Sequence, residues 1–321
     1  MRKWDVVTFG EPLVNFVAED IGLIHDVDRF TRSLGGAEAN VAVGLGRLAR
    51  KVLLITRLGR DILGDYALAV LEREGVDTSL VQFDEIAATG YQFKTRVQMG
   101  DPSLHYFRRG SAASRINWSQ AFADAVREAA HLHLTGIPLA LTEAARDVSA
   151  RLLEVARMRG VTVSFDPNLR PVLWASRTEM VETVNRFALQ ADIVLPGVME
   201  GQTLTGRETP QDIADFYLDR GVRLVVVKLG PEGAYLKSRK EEGVVAGYSV
   251  PQVVDTVGAG DGFAVGFIDG LLRGLPVREA VSQGCALGAM AVMSPGDHDG
   301  YPDRTALSSF LHTNTRGFSK C

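Results

Sequence analysis

One glycine-rich segment combines a place for a phosphate with a carboxylate. It reads Asp255-Thr256-Val257-Gly258-Ala259-Gly260-Asp261-Gly262-Phe263, after a strand-like run and at the start of an apolar helix. Gly258 and Gly260 let backbone amides converge, and the first N–H groups of a helix lack partners within it, so the segment predicts an anion site. Beside a bound phosphate, Asp261 could accept a proton from an incoming hydroxyl. The alternative is an ordinary turn, but two close glycines between Asp255 and Asp261 favour function.

A second glycine pair stands nearer the N-terminus, in Gly35-Gly36-Ala37-Glu38-Ala39-Asn40-Val41-Ala42. The amides of Gly35 and Gly36 and the side chain of Asn40 could bind hydroxyls of a polar ligand. A tight turn before a helix explains the glycines but not Asn40.

Other nucleotide-binding motifs are absent or misplaced. Gly44 and Gly46 match the dinucleotide fingerprint, but they lie inside a helical pattern with no strand directly before them, so helix packing explains them better. The sequence contains no GxxxxGK[ST], HExxH or GxSxG motif. A phosphate site at 255–263 is therefore of a different kind.

Strand-like and helical patterns alternate along the chain, which indicates an α/β fold with a mostly parallel sheet covered by helices on both faces. The strand-like runs are Val6–Phe9, Val52–Leu58, His131–Leu134, Val161–Phe165, Ile193–Leu195 and Leu224–Lys228. The helical stretches between them include Ala37–Ala49, Ile62–Glu74, Glu143–Arg159 and Thr178–Leu189. His131 and His133 alternate with leucines in a short strand, so we expect them to be structural.

Two stretches interrupt this alternation. Val14–Arg32 shows no convincing helix, and Gly90–Gly110 contains two strand-like runs joined across Gly100-Asp101-Pro102, which is turn chemistry. We expect one domain over residues 1–321, with a small β-sheet lid built from about 12–33 and 88–112.

The last third differs in pattern. Gly233–Lys237 and Gly243–Val250 look antiparallel, and two helices rich in small residues follow at Gly258–Arg273 and Arg278–Ser294. The segment Ser308–Cys321 is polar, and we expect it to fray.

Composition excludes several classes of protein. The 321 residues are 46% hydrophobic and 23% charged, with a net charge of -4, which argues against nucleic-acid and anionic-membrane partners. No apolar run reaches the roughly 18 residues of a membrane helix, and the N-terminus reads as a strand instead of a secretory signal. Cys285 and Cys321 cannot form a disulfide framework or a zinc site. We expect a cytoplasmic protein that forms a homo-oligomer through its β lid.

The two glycine motifs, in this order and separation, resemble the paired signatures of the ribokinase (PfkB) family of carbohydrate kinases, and the similarity runs from about Val6 to Leu311. The segments 106–112 and 165–171 look most like those of 2-keto-3-deoxygluconate kinases. The resemblance implies a Rossmann-like (ribokinase-like) fold, ATP and Mg²⁺. It also implies transfer of the γ-phosphoryl group to the acceptor's terminal hydroxyl.

The same resemblance implies a role for each matching residue. Asp261 is the general base, and the amides of Gly258, Ala259 and Gly260 form the anion hole. Gly35, Gly36 and Asn40 bind sugar hydroxyls, while Tyr91, Tyr106, Arg108 and Arg170 line the acceptor pocket. Lys228, Gly230, Glu232 and Gly233 border the nucleotide, together with Cys285 near adenine, and Glu200 organises the metal.

Two positions depart from the family pattern. Gly197 replaces the asparagine of an Asn-x-x-Glu motif, so metal binding through Glu200 is weakened. Cys285 replaces an asparagine near the base.

The alternation of side chains along a strand helps to indicate which class of substrate accepts the phosphoryl group. If 106–109 is a strand, Tyr106 and Arg108 share a face and Arg109 points away. A guanidinium suits a carboxylate, which favours a sugar acid, whereas a solvated arginine face is the alternative. The leading hypothesis is a 2-keto-3-deoxygluconate kinase. A fructokinase or another ketose or sugar-acid kinase, and a sugar- or nucleotide-binding regulator without turnover, remain open.

Overall fold

A computed structural model describes residues 2–97 and 102–315. Its strands are β1 (Trp4–Phe9), β2 (Leu13–Ile21), β3 (Phe30–Gly35), β4 (Val52–Gly59), β5 (Val76–Asp77), β6 (Val81–Asp84), β7 (Tyr91–Arg96), β8 (Leu104–Phe107), β9 (Ala129–Thr135), β10 (Thr162–Asp166), β11 (Ile193–Val194), β12 (Leu224–Lys228), β13 (Gly233–Ser238) and β14 (Glu242–Ala246). Its helices are α1 (Ala37–Arg47), α2 (Ile62–Arg73), α3 (Gln120–Arg127), α4 (Ile137–Leu141), α5 (Glu143–Arg159), α6 (Arg177–Ala188), α7 (Val198–Thr205), α8 (Pro210–Leu218), α9 (Ala259–Leu272), α10 (Val277–Ala291) and α11 (Arg304–Thr315).

The larger sheet has the strand order β14-β13-β12-β11-β10-β9-β1-β4-β5, with β6 also paired to β4. The strands from β12 to β5 run parallel, and only β13 and β14 are antiparallel to their neighbours. Every predicted core strand is present, and so is the antiparallel pair after Leu229. The prediction of a mostly parallel sheet is therefore confirmed.

Both faces of the larger sheet are buried, because alternate side chains of one strand enter two separate cores. Val6 packs with α1, α9 and α10 on one face, whereas Val7 packs with α3, α5 and α6 on the other. Strands buried on both sides have no polar face, which explains their continuous Val, Ile and Leu runs. Gly44 lies inside α1, where a Cβ would meet Val265 and Tyr301, as helix packing predicts.

The two interrupting stretches form one small sheet, hereafter the small sheet, with the order β3-β2-β7-β8. Strands β2 and β7 pair in parallel, and the outer pairs are antiparallel. This confirms the prediction of a small second β-sheet beside the core. Most of the predicted turn between β7 and β8 lies outside the described residues.

The C-terminal prediction needs correction. Residues 308–315 belong to α11, which packs on α10, because Leu307, Phe310 and Leu311 supply an apolar stripe that the polar composition hides. Residues 316–321, including Cys321, lie outside the described part of the chain. No helix among the described residues is long and apolar enough to cross a membrane.

Candidate active site

Two cavities meet at the start of α9. The first, which we call the polar cavity, has a volume of about 460 Å³ and lies between the small sheet and the carboxyl ends of the core strands. The second, the apolar cavity, has a volume of about 540 Å³ and lies between α9, α10 and the loops around β13. Lys228, Thr256 and Gly260 line both. A group transferred from one cavity to the other would pass these three residues.

The glycine turn, residues 255–261, separates the two cavities. Gly258 has a φ of 83° and precedes the first residue of α9, and a Cβ there would collide with the carbonyl oxygen of Asp297. Gly260 is less constrained, because the nearest atom to its Cβ would be Lys228 Nζ at 3.5 Å. The amide of Ala259 already donates a long 3.3 Å bond to the Thr256 carbonyl. The amides of Gly258 and Gly260 are therefore better placed than that of Ala259 to receive an anion.

Asp261 faces the polar cavity from the first turn of α9. Asn40 Nδ2 donates to its Oδ2 at 2.8 Å, and Asn168 Nδ2 donates to its Oδ1 at 3.2 Å. Burial raises the pKa of Asp261 to about 7, helped by the charge of Asp166 and opposed by the Asn40 hydrogen bond and by Arg170 and Lys228. A carboxylate with a pKa near neutrality suits a general base, because it can both hold and release a proton at working pH.

Lys228 is the last residue of β12 and lines both cavities. It contacts Asp166, the last residue of β10. Its Nζ donates to Asp166 Oδ2 at 2.6 Å. Burial alone would lower the pKa of Lys228, but Asp166 and Glu200 more than offset it, so the pKa lies above its ordinary value. Lys228 therefore presents a fixed positive charge beside the glycine turn, where phosphate charge would develop.

Glu200 lies in the first turn of α7 and lines the polar cavity. Its Oε2 accepts from the amide of Gly197 at 2.8 Å, and its Oε1 accepts from the amide of Leu169 at 2.7 Å. The residue that departs from the family pattern, Gly197, thus caps α7 through its backbone. Each Glu200 oxygen keeps one lone pair, which suits either a hydrogen bond from metal-bound water or direct contact with a metal ion. Among the described residues, no three His, Cys, Asp or Glu side chains cluster as metal ligands.

The inner face of the small sheet covers the polar cavity. Gln92 pairs with Tyr106 across β7 and β8, and both line the cavity with Arg108, as the alternation argument predicted for the last two. Tyr91 does not. Its ring lies on the outer face, 4.9 Å from the centroid of Phe107, because neighbours along a strand point to opposite sides. Gln92 therefore lines the cavity in the place that was predicted for Tyr91.

Arg108 lies in the cavity wall, but its charge is already balanced. Its Nε donates to Glu11 Oε2 at 2.7 Å, the Glu11 side chain is completely buried, and Ser111 also donates to Glu11. Arg170 differs, since the only hydrogen bond of its guanidinium within the described residues goes to the carbonyl of Leu169, at 2.9 Å. Arg170 precedes a short 3-10 turn and lines the same cavity. The more available cation for a ligand carboxylate is thus Arg170.

Three residues were predicted to bind ligand hydroxyls in the N-terminal glycine motif. Gly36 and Asn40 line the polar cavity, whereas Gly35 does not. Gly36 has a φ of 104° and packs against the Glu11 carbonyl, so no other residue fits there without strain. A Cβ on Gly35 would collide with the carboxylate of Asp297. Gly35 is therefore required for close packing beside the cavity, instead of for direct contact with a ligand.

The apolar cavity contains most of the residues predicted to border a nucleotide. Gly230, Gly233 and Cys285 line it with Lys228. Glu232 does not line the cavity: its side chain is exposed, and its carbonyl accepts from the amide of Gly247 at 3.1 Å. Burial raises the pKa of the Cys285 thiol to about 12, so it remains protonated and acts as an apolar wall. Aliphatic and aromatic residues complete a slot suited to a flat base: Tyr248, Val250, Val253, Phe263, Ala289 and Val292.

The predicted site residues omitted Asp166, Asn168, Gln92 and Asp297, all of which line the polar cavity. A signal existed for the first two, because Asp166-Pro167-Asn168 follows a buried strand, and parallel strands place ligands at their carboxyl ends. Asn168 also has a φ of 38°, a strained backbone of the kind found at active sites.

The two histidines of β9 are structural, as expected. His131 Nε2 and His133 Nδ1 lie 2.7 and 2.8 Å from the Ser164 hydroxyl in the larger sheet, and neither lines the polar or the apolar cavity. Burial lowers the pKa of each to about 3, so both stay neutral.

Comparison with known proteins agrees with this site. The profile of the pfkB family of carbohydrate kinases matches residues 3–304. The chain is 46% identical over 310 residues to 2-dehydro-3-deoxygluconokinase of Bacillus subtilis (strain 168), covering 96% of each chain. It is 33% identical over 321 residues to fructokinase-1 of Oryza sativa subsp. japonica, covering 96% of this chain and 98% of the relative.

Two solved structures share the fold. A PfkB protein from Polaromonas sp. JS666 is 44% identical, with a TM-score of 0.88, over 95% of this chain and 99% of that one. A putative ribokinase II from E. coli in complex with ATP and Mg²⁺ is 26% identical, with a TM-score of 0.88, over 97% and 99%.

Proposed function

The chain belongs to the pfkB family of carbohydrate kinases, and from that premise we propose that it phosphorylates 2-keto-3-deoxygluconate (2-dehydro-3-deoxygluconate) at its terminal hydroxyl with ATP. One observation carries the proposal: the polar and apolar cavities share the glycine turn, and Asp261 faces the polar side. This arrangement suits an acceptor hydroxyl beside Asp261 and a nucleotide whose base fills the apolar cavity.

In the proposed reaction, Asp261 accepts the proton of the acceptor hydroxyl. The hydroxyl oxygen bonds to the γ-phosphorus, and the bond between that phosphorus and the departing oxygen of ADP breaks. The amides of Gly258 and Gly260 and the ammonium of Lys228 stabilise the transferring phosphoryl charge. The products are ADP and a phosphate ester, and the proton remains on Asp261 until solvent removes it.

Mg²⁺ is part of the same proposal. It would neutralise phosphate charge and keep several waters, as its hydration chemistry favours. Glu200 and Asp166 are the carboxylates at the cavity that fit acceptors for those waters, because each is oriented by a hydrogen bond that it accepts from a protein donor and keeps further lone pairs.

The acceptor assignment rests on chemistry in the polar cavity. A sugar acid brings a carboxylate, which must be paired when it leaves water. Arg170 offers a guanidinium that forms no ion pair within residues 2–97 and 102–315, and Tyr106 offers a hydroxyl. The Bacillus relative named for this substrate supports the same choice. A fructokinase is the second candidate, because the Glu11–Arg108 pair leaves one of the two cavity arginines already neutralised.

The decisive experiment compares kcat/KM for 2-keto-3-deoxygluconate and fructose in a coupled assay. Wild type should prefer the acid. Arg170→Gln should lower kcat/KM for the acid by about 10- to 150-fold, the equivalent of about 1.5–3 kcal/mol for a charged hydrogen bond. The effect on fructose should be under about three-fold. Assays belong at pH 8.5, because Arg170 lowers the pKa of Asp261 and its loss would otherwise protonate the base.

Arg109→Gln is the matched control, since Arg109 is exposed and outside the cavity lining. A preference of wild type for fructose, with Arg170→Gln affecting both acceptors equally, would assign the enzyme to the fructokinases. Arg108→Gln is less informative, because it leaves Glu11 buried without its cation and so perturbs the protein whatever the acceptor.

We also propose that residues 1–321 form one ribokinase-like domain with the small sheet as its lid, and that the lid's outer face pairs two copies of the chain. Tyr91, Phe16, Phe93 and Phe107 stack there in one aromatic group, and Phe107 remains 52% exposed. The need for ATP favours a cytoplasmic location.

Light scattering after gel filtration tests the pairing. Wild type should have the mass of a homo-oligomer, and Phe107→Glu should shift it to the monomer. Met158→Glu, at an exposed apolar position of α5, is the control and should leave the mass unchanged. A monomeric wild type would contradict the proposal.

A further inference from the structure

A buried lysine stands on the inner face of the small sheet. Lys94 belongs to β7, its side chain is 2% exposed, and it follows Gln92 along the face that covers the polar cavity. Lysine is almost never buried to this degree unless its charge is paired. Phosphoryl transfer as described above gives Lys94 no role.

Both partners of Lys94 lie far along the chain, one at the start of the glycine turn and one on the loop after α10. Its Nζ forms an ion pair with Asp255, the first residue of that turn, and lies 3.4 Å from Asp297 Oδ1. The small sheet is thus joined to the start of α9 by one ammonium group. Within residues 2–97 and 102–315, these are the carboxylates that Lys94 pairs with.

The two carboxylates hold the anion-binding backbone in place. Asp255 Oδ1 accepts from the amide of Val257 at 3.1 Å, and its Oδ2 accepts from the amide of Gly296 at 3.2 Å. The carbonyl of Asp297 lies directly beneath Gly258, where it leaves no room for a Cβ. A shift of either carboxylate would therefore move the amides that receive the phosphoryl group.

We propose that Lys94 is a positioning residue for phosphoryl transfer: its ammonium group joins the small sheet to Asp255 and Asp297 and so holds the glycine turn in its anion-binding shape. The inference rests on the proposed function only in that the transferred group is a phosphoryl group. Because Lys94 and Gln92 share one strand face, the same strand contacts the acceptor cavity and orders the anion hole.

Charge explains why a cation is needed there. Without Lys94, two buried carboxylates would face each other unpaired, and repulsion would separate the loops that carry them. The pKa of Asp297 is raised by burial and by the charge of Asp255, and Lys94 opposes both effects. The ammonium thus lies between the two acidic side chains and holds the loops that carry them close together.

The test compares Lys94→Met with Arg96→Met, which removes an exposed cation from the same strand. Lys94→Met should lower kcat by about 10²-fold, the typical penalty for a misplaced catalytic group, while the KM for ATP changes by less than about three-fold. Arg96→Met should keep wild-type kcat. A folded Lys94→Met enzyme with wild-type kcat would overturn the proposal.

Chemical rescue separates positioning from a general loss of packing. In Lys94→Ala, ethylammonium chloride should restore kcat several-fold with saturation, and choline chloride at equal ionic strength should not, because choline is too large for the space. Equal effects of the two salts would reject the proposal. If Lys94→Ala folds poorly, Lys94→Arg keeps the charge and should retain more activity than Lys94→Met; the reverse order would also reject the proposal.

Hydrogen exchange needs no turnover, so it tests the role of Lys94 whichever acceptor the enzyme uses. Hydrogen exchange of amides 255–262 and 294–301 should be faster in Lys94→Met than in wild type or Arg96→Met, and exchange in α5 should not change. Unchanged exchange in both loops would refute the positioning role. A wild type that phosphorylates fructose instead of the sugar acid would refute only the acceptor assignment, and kcat would then be compared with fructose.

Discussion

Replacing Asp261 by asparagine removes the proposed proton acceptor with little change in shape. Both carboxylate oxygens now accept hydrogen bonds, from Asn40 at 2.8 Å and from Asn168 at 3.2 Å. An amide offers only one acceptor oxygen, so one of these donors must face an NH₂ group. The substitution therefore removes a charge, a base and one hydrogen bond.

The stability consequences oppose each other. Burial raises the pKa of Asp261 from 3.8 to about 7. The folded state thus binds this proton more tightly than the unfolded state, and ionised Asp261 lowers the free energy of unfolding. That penalty is absent below about pH 4, grows as the pH rises, and reaches at most about 4 kcal/mol above pH 7. The lost hydrogen bond costs Asp261→Asn about 1–3 kcal/mol at every pH.

Asp261→Asn should therefore be no less stable than wild type at pH 8, and less stable at pH 4. Urea unfolding at both values of pH measures this crossover. Because the variant remains folded where it is assayed, a loss of activity can be assigned to the missing base. General-base removal typically lowers kcat by about 10² to 10⁴.

The pH profile of wild type supplies the second half of this test. Since Asp261 must be ionised to accept a proton, log(kcat/KM) should rise with a slope near one below about pH 7 and level off above it. A folded Asp261→Asn protein within ten-fold of wild-type kcat would refute the assignment. A wild-type profile that is flat from pH 5.5 to pH 9 would do the same.

The remaining predictions concern the two cavities. Gly258→Ala should abolish phosphoryl transfer and lower the melting temperature, because a Cβ collides with the Asp297 carbonyl, as thermal unfolding and kcat will show. Gly260→Ala should keep the melting temperature but reduce kcat, because its Cβ intrudes only on the path between the cavities; an unchanged kcat would mean that the turn merely redirects the chain. Cys285, with a thiol pKa of about 12, should resist iodoacetamide at pH 8 in a Cys321→Ser background until urea is added. Rapid labelling of the native protein would show that the wall of the apolar cavity opens.

Local sequence patterns predicted the core strands, most of the long helices and the phosphate motif. Strand and helix patterns depend on neighbours a few residues away, so the runs at Val52–Leu58 and Glu143–Arg159 are readable without the fold. The glycine turn is partly local, because the positive φ of Gly258 and the free amides of α9 come from backbone geometry, whereas the Asp297 carbonyl that excludes a Cβ at Gly258 is brought there by the fold. Asp261 stands out for the same reason, as a carboxylate placed among anion-binding amides.

Which side chains face the cavity and which charges form ion pairs could be learned only from the tertiary structure. Gln92 lines the cavity and Tyr91 does not, because the register of β7 against β8 decides which side chains point inward. The polar composition of 308–315 likewise concealed a helix that packs on α10 and contacts Tyr248 through Phe310.

Charge pairing over long sequence separations was equally invisible to sequence patterns. Arg108 is neutralised by Glu11, 97 residues away, and Lys94 by Asp255, 161 residues away. A sequence shows that a residue is cationic, but whether that charge is free for a ligand depends on which carboxylates the fold places beside it. That is why Arg170, and not Arg108, is the cation left available for an acidic substrate.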